Sequence, residues 1–134
     1  MVFQLIERHY QKLQDLLGKK TGTNEYNLEL TADEKLQARE LFQSRLDYWF
    51  ETHFAARGLT KPTLVLRQMS GRWGSYSRKT HRVCLNYSLF RHPLVKLDQV
   101  IVHELCHLVH FNHGKEFHQL VDNLIVINEK VRLI

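Results

Sequence analysis

The sequence predicts an α+β domain in which helices flank a small sheet. Residues 1–58 carry apolar side chains at helical spacing, whereas residues 63–86 hold three short strand-like runs separated by turn residues. Helical patterns return after Pro93 and again after Gly114. A chain of 134 residues is long enough for one domain with its own core. We therefore expect one domain over residues 1–134, helical over 1–58, with the sheet and two more helices over 61–134.

Two helices are predicted in the N-terminal part. The first spans about residues 2–18, ends near Gly18 and has apolar residues at alternating spacings of three and four: Phe3, Ile6, Tyr10, Leu13 and Leu17. The second begins at the capping-box pattern of Thr31 and Glu34 and should stop at Gly58, the expected place of a left-handed cap. Its buried face is marked by Leu41, Phe42, Leu46, Trp49, Phe50 and Phe54.

The strand-like runs are TLVLRQM (63–69), RWGSYS (72–77) and RVCLN (82–86). Ser70-Gly71 is a turn signal after the first run, and RKTH is one after the second. The three runs are therefore expected to form a small antiparallel meander. Gly74 weakens the second run, which is our candidate for an edge strand.

The helix after Pro93 is predicted to span about residues 95–111 and to be buried. On a helical wheel its side chains are apolar nearly all round, except for a narrow stripe of His103, His107 and His110 with Glu104 at its edge. Aligned neutral histidines in a buried face need a shared partner, because an unpaired buried polar group is costly. A metal ion is the simplest such partner.

The segment HELCH (103–107) has the spacing of a zinc-binding helix. Histidines at i and i+4 share one face, so His103 and His107 can both reach one Zn²⁺ at about 2.0–2.1 Å. Glu104 stands beside the first ligand, where it can reach a metal-bound water and act as general base. We expect one zinc ion at this site and a catalytic role for Glu104.

A catalytic zinc needs a third protein ligand and an open position. His113 lies six residues after His107 and is the leading candidate, with His118 and Glu116 as alternatives. Glu129 is the one glutamate beyond 116 and is a more distant alternative. His110 is too far along the axis of a regular helix to share the ion, so it should line the cleft or hydrogen-bond to a ligand.

Charge and composition bound the partners. Residues 61–96 contain eight basic side chains and no acid, which is either a solvated face or a patch that attracts phosphates, acidic peptides or nucleic acid. No apolar stretch approaches the roughly 20 residues that span a bilayer, and the N-terminus lacks a secretion-signal pattern. Cys84 and Cys106 are expected as two reduced thiols. We expect a cytoplasmic protein with no membrane partner.

Three segments together resemble the YgjP-like metallopeptidase family. They are RWGSYS, LNYSLFRHP and VIVHELCHLVHFNHGKEF, and they occur in the family's order over about residues 63–124. The HGKEF segment is also similar to the neighbouring SprT-like family, whose third zinc ligand is the histidine before that glycine. This chain has Tyr76 where the YgjP-like family commonly has cysteine.

The resemblance implies a zincin-like minimal metallopeptidase domain: N-terminal helices, a small three-stranded sheet, the buried HExxH helix and a C-terminal helix. It implies zinc ligation by His103, His107 and His113, with Glu104 as general base. It also implies a peptide or protein substrate, although some YgjP-like members are associated with nucleotide hydrolysis.

The leading functional hypothesis is therefore a zinc-dependent peptidase of the endopeptidase type. The alternatives are a zinc-dependent hydrolase of nucleotides or other phosphate-containing substrates, an SprT-like DNA-associated protease, and a metal-stabilised binding module without catalysis. The last has no need of Glu104, since a structural zinc requires no general base.

Several side chains are candidates for the rest of the site. An extended peptide would lie along the RWGSYS edge, where a sheet edge offers backbone hydrogen bonds. Trp73 and Tyr76 either contact substrate or pack, and Asn86 either orients a ligand histidine or terminates its strand. The developing oxyanion needs an electropositive partner. Its candidates are Arg72, Tyr76, Tyr87 and His110.

Overall fold

The computed structural model describes residues 25–132, with side chains described as far as Ile125. The helix predicted over 2–18 lies outside the described residues. Three α-helices and one three-stranded sheet are found within this part of the chain, which confirms the α+β class. The elements are α1 (Ala32–His53), β1 (Thr63–Arg67), β2 (Gly74–Ser77), β3 (Arg82–Asn86), α2 (Leu94–Cys106) and α3 (Lys115–Arg132).

Helix α1 begins at the predicted capping box. The Glu34 amide donates to Thr31 Oγ1 at 3.1 Å, and the Thr31 amide donates to Glu34 Oε1 at 3.0 Å. The helix ends at His53 rather than at Gly58, because the chain tightens into a 3₁₀ turn over Ala55–Arg57. Gly58 caps that turn in the left-handed conformation, with φ of 77°. The glycine's conformation was thus predicted correctly, but it ends a different element.

The sheet is mixed, so the predicted antiparallel meander was wrong. Its strand order is β1-β3-β2: β3 is central, parallel to β1 and antiparallel to β2. The reason lies in residues 68–73, which cross the end of β3 instead of forming a tight hairpin. Asn86, at that end of β3, donates its side-chain amide to the carbonyls of Met69 and Arg72, both at 3.0 Å. Strand β2 therefore lies at an edge of the sheet, as expected for the peptide-binding strand, whereas a meander would have placed it in the centre.

Helix α2 packs between the sheet and α1 and is the core of the domain. Nine of its 13 residues are buried. Gly74 of β2 lies so close to this helix that a Cβ there would sit 2.9 Å from Val100 Cγ1. On the other side, Asp98 is 1% exposed and receives two hydrogen bonds from Arg45 of α1, at 2.8 and 2.9 Å. The sheet and α1 thus hold α2 from both sides.

Helix α2 ends at Cys106, five residues before the predicted end at 111. Leu108 and Val109 donate to the carbonyls three residues earlier, at 2.9 and 3.1 Å, which tightens the last turn. Both side chains still pack against the core, so their apolar pattern gave no sign of the stop. The early stop lets the chain reverse before α3 starts after Gly114. No described helix has the length and apolarity that a membrane span requires.

Candidate metal centre

Three histidines converge at the end of α2. His103 and His107 come from consecutive turns, and His113 returns from the loop that follows. One ring nitrogen of each lies within 4.8 Å of one nitrogen of both others. The Nε2 atoms of His107 and His113 are 3.0 Å apart. Two ligands of a tetrahedral zinc at 2.0–2.1 Å are separated by about 3.3 Å, so this donor set suits such an ion.

The orientation of His107 is set by the reversal of the chain after α2. Its Nδ1 lies 3.0 Å from the carbonyl oxygen of Phe111. A carbonyl only accepts, so Nδ1 carries the hydrogen and Nε2 presents its lone pair toward His113. An outer hydrogen bond of this kind fixes both the tautomer and the ring angle of a metal ligand. The early end of α2 is therefore part of the construction of the site.

Phe117 forms the floor of the cluster. Its buried ring lies 5.1 Å from the His103 ring, 4.6 Å from that of His107 and 4.8 Å from that of His113, measured between centroids. One side chain of α3 therefore contacts all three imidazoles. The sequence analysis did not single out Phe117. The available signal was its place in the HGKEF segment, four residues after His113.

Glu104 is buried at the edge of the cluster. Its Oε1 lies 3.9 Å from His103 Nε2, and its Oε2 has no hydrogen-bond partner among the described residues. Burial raises the pKa of the Glu104 carboxyl to about 7, and the positive charge of Arg72 opposes that rise. A buried carboxyl with an unsatisfied oxygen calls for an explanation, such as a catalytic role or an ion bound beside it. It is suited to taking up a proton and giving it back.

His103 and His107 are held in the neutral form that binds metals. Burial lowers the pKa of His103 to about 4, and the electrostatic effect of His107, His113 and His118 adds to this. Burial also lowers the pKa of His107, against the opposing hydrogen bonds to the carbonyls of Phe111 and His110. Neutral imidazoles offer a lone pair at neutral pH, as ligation requires.

The other candidate ligands stand apart from this cluster. His118 and Glu116 are not among the three residues whose nitrogens or oxygens converge, although the His118 ring lies 6.3 Å from that of His113. Glu116 is exposed, and His110 is half-buried outside the ligand set. The side chain of Glu129 lies outside the described residues.

Two of the outer candidates have structural roles. Trp73 is 6% exposed and packs on Tyr26, with ring centroids 4.4 Å apart. Of its two proposed roles, packing rather than substrate contact therefore fits its position. Of the two roles considered for Asn86, its contacts support termination of the strand rather than orientation of a ligand histidine. Its Nδ2 donates to backbone carbonyls and its Oδ1 accepts from the Ser88 amide at 3.0 Å, because the side chain ends β3 and holds the crossing loop.

The two tyrosines differ in their relation to the site. The Tyr76 ring lies nearly parallel to that of His107, with centroids 6.5 Å apart. Its hydroxyl donates to Nδ1 of His81 at 3.2 Å, since His81 uses its Nε2–H for the Thr60 carbonyl at 2.8 Å. Tyr76 thus forms one side of the site, but its hydroxyl proton is used in the hydrogen bond to His81. Tyr87 lies under the Lys35 ammonium instead, 5.5 Å away.

The basic side chains of residues 61–96 have different surroundings in the folded chain: some form ion pairs, one is buried and the others are exposed. Lys61 forms ion pairs with Asp47 and Glu51, and Arg91 forms one with Glu34. Lys96 is buried, with its ammonium 3.8 Å from the centre of the Trp73 ring. Five further basic residues are exposed on the sheet and its adjoining loops, without an ion pair among the described residues. They are Arg67, Arg72, Arg78, Lys79 and Arg82.

Comparison with known proteins bears on the same site. A family model described as "YgjP-like, metallopeptidase domain" matches residues 4–129, well beyond the 63–124 over which the resemblance was noted. Among solved structures, the chain is similar to the metallopeptidase zymogen jannalysin of Methanocaldococcus jannaschii. The identity is 20% and the TM-score 0.48, and the match covers 72% of this chain and 97% of that one. No curated protein matches in sequence.

Proposed function

The chain belongs to the YgjP-like metallopeptidase family, and on that premise we propose that it is a zinc-dependent peptidase with Glu104 as general base. One observation carries this proposal. Three histidine nitrogens lie within 4.8 Å of one another, and a buried carboxyl with an unpaired oxygen stands beside them. His103, His107 and His113 are the proposed ligands.

The chemistry divides between the ion and the protein. When bound, zinc supplies a Lewis acid to the scissile carbonyl and lowers the pKa of water toward 7. Glu104 accepts the proton of the attacking water and returns it to the leaving amine. Its burial beside His103 keeps competing water away from that proton transfer.

Arg72 is the proposed partner of the developing oxyanion. It is an exposed cation whose charge reaches the Glu104 carboxyl, as its effect on the pKa of that group indicates. The other candidates are less suited, because the Tyr76 proton is engaged by His81 and Tyr87 lies beside Lys35. A cation placed where negative charge develops stabilises the transition state more than the ground state.

Substitution of Glu104 tests the mechanism. Glu104→Gln should retain zinc but lower peptide cleavage by about 10²- to 10⁴-fold, the usual contribution of a general base. Zinc content is measured by atomic emission, and cleavage with a quenched-fluorescence peptide library. Glu116→Gln is the matched control, because that carboxylate is exposed and outside the cluster; it should cleave normally. Unchanged turnover in Glu104→Gln would refute the role.

A phosphate-containing substrate is the competing possibility, because five exposed basic residues also suit phosphates. The comparisons give no support to nucleic acid as a partner. The peptide is favoured by the edge strand β2, which runs beside α2 from Gly74 near Val100 to Tyr76 near His107. Nucleotide hydrolysis measured at the same enzyme and zinc concentrations discriminates the two. Faster nucleotide than peptide turnover would decide against the peptidase.

A further inference from the structure

A groove of about 720 Å³ runs along the outer edge of β2, next to the proposed metal site. We call it the β2 groove. Residues 75–77 form one wall, Arg72 stands before them, Arg78 and Lys79 follow them, and Phe111 closes the opposite side. Among residues 25–132, β2 pairs with β3 alone, so its other edge offers unpaired backbone groups to the groove.

All charged side chains that line the β2 groove are positive. Arg72, Arg78 and Lys79 line it, and no acidic side chain does. None of the three forms a salt bridge within the described part of the chain, in contrast to Lys61 and Arg91. The guanidinium of Arg78 lies 5.5 Å from the centre of the Phe111 ring and bridges the mouth of the groove. The groove therefore lacks a neutralising partner of its own.

The position of these cations along β2 relates them to the scissile bond. Tyr76 stands beside the ligand His107, so a peptide paired with β2 has its scissile bond near this residue. Arg78 and Lys79 follow in the turn of residues 78–81 that ends β2, so both cations lie beyond Tyr76 on the side of this turn. A carboxylate of the peptide on that side of the scissile bond would face them.

We propose that the β2 groove selects acidic peptide segments, with Asp or Glu on the side of the scissile bond that faces the β2–β3 turn. The inference rests on the proposed peptidase function and names its substrate class. Arg78 and Lys79 determine the preference by charge, while the β2 edge supplies hydrogen bonds that are indifferent to sequence.

The test compares two double charge reversals. Arg78→Glu with Lys79→Glu removes the cations of the groove, whereas Arg67→Glu with Arg82→Glu makes the same change of net charge on the sheet face turned away from α2. Binding of a fluorescein-labelled peptide with paired glutamates, and of its glutamine counterpart, is measured by anisotropy. The protein carries Glu104→Gln throughout, so binding is read without cleavage.

The groove reversal should weaken binding of the glutamate peptide by about tenfold or more and change that of the glutamine peptide much less. The matched reversal should leave the preference intact. Added salt should weaken the glutamate peptide selectively, since the charges are exposed. Arg78→Gln with Lys79→Gln gives an intermediate loss and guards against misfolding of the reversed variant. Equal loss in both double reversals, or no initial preference for glutamate, overturns the inference.

Cleavage separates this inference from the proposed function. With active, zinc-loaded protein, a glutamate scanned along a peptide library should raise cleavage on one side of the scissile bond only. Cleavage without that preference would refute the acidic specificity but not the proposed peptidase function. If no peptide is cleaved, the peptidase function is refuted, and the binding measurements alone decide whether the groove prefers acidic peptides. Displacement of the glutamate peptide by lower concentrations of single-stranded DNA would assign the groove to nucleic acid instead.

Discussion

Gly74 is a point of close approach between β2 and α2, and Gly74→Ala tests that packing. The added Cβ would lie 2.9 Å from Val100 Cγ1, 3.1 Å from the Cys84 carbonyl oxygen and 3.3 Å from Leu85 Cδ2. Two of these atoms belong to buried side chains and one to the backbone, so none can move away freely. Strand and helix must separate by a few tenths of an ångström.

The cost follows from two opposing effects. Overpacking of this kind destabilises by about 1–3 kcal/mol. Replacing glycine by alanine recovers about 0.4–1 kcal/mol by restricting the unfolded chain. We expect a net loss of about 0.5–2 kcal/mol, or a fall in Tm of several degrees. Peptide cleavage should fall more than stability does, because β2 carries the substrate edge and small displacements at a catalytic site are costly.

Thermal and urea unfolding followed by circular dichroism measure the loss. Gly71→Ala is the matched control, because a Cβ at Gly71 meets nothing within 4 Å; it should be as stable as the parent or slightly more so. Val100→Ala combined with Gly74→Ala should show favourable coupling of about 1 kcal/mol in a double-mutant cycle. If Gly74→Ala behaves like Gly71→Ala in stability and cleavage, β2 and α2 are not packed as described.

Three further perturbations address the site and its support. Phe117→Leu should lower zinc affinity about tenfold with the fold retained, because the ring that positions three imidazoles is lost. Competition with a chromophoric chelator measures the affinity, and an unchanged affinity would contradict the role of Phe117. Asp98→Ala should cost about 2–4 kcal/mol in urea unfolding by leaving Arg45 unpaired, and replacing both by Met and Leu should cost less; a larger loss in the double variant would refute the reasoning. Zinc at about 100 times its Kd should raise the unfolding free energy by about 2.7 kcal/mol. His113→Ala should abolish most of this stabilisation by zinc, whereas His118→Ala should not. The reverse result would make His118 the third ligand.

The sequence was most informative where the chemistry depends on local spacing. His103 and His107 could be aligned from helix geometry alone, and the structure brings their ring nitrogens together. The burial of Glu104 was not predicted, because the helical wheel placed it at the edge of the polar stripe. His113 required one more assumption, that the chain turns back after the helix. The turn was expected, but the stop at Cys106 was not, since Leu108 and Val109 continue the apolar pattern.

Strand topology and charge pairing depend on residues far apart in the chain. The parallel pairing of β1 with β3 follows from a crossing loop held by Asn86, and nothing near Ser70-Gly71 distinguishes that loop from a hairpin turn. The basic stretch likewise looked uniform, but its partners Glu34, Asp47 and Glu51 come from outside it. Local patterns could not show either arrangement, because each is decided by long-range contacts.

The strand order determines when the sheet can form. Among the strands of residues 25–132, β3 is both the last in sequence and the central one, so β1 and β2 lack this shared partner until residues 82–86 have been synthesised. The β2–β3 hairpin closes a short loop and forms quickly, whereas β1 must wait for a longer loop to close. During translation β1 and β2 therefore emerge as unpaired segments, and the sheet assembles as the buried helix α2 follows. Pulsed hydrogen exchange should find β1 amides protected after those of the hairpin.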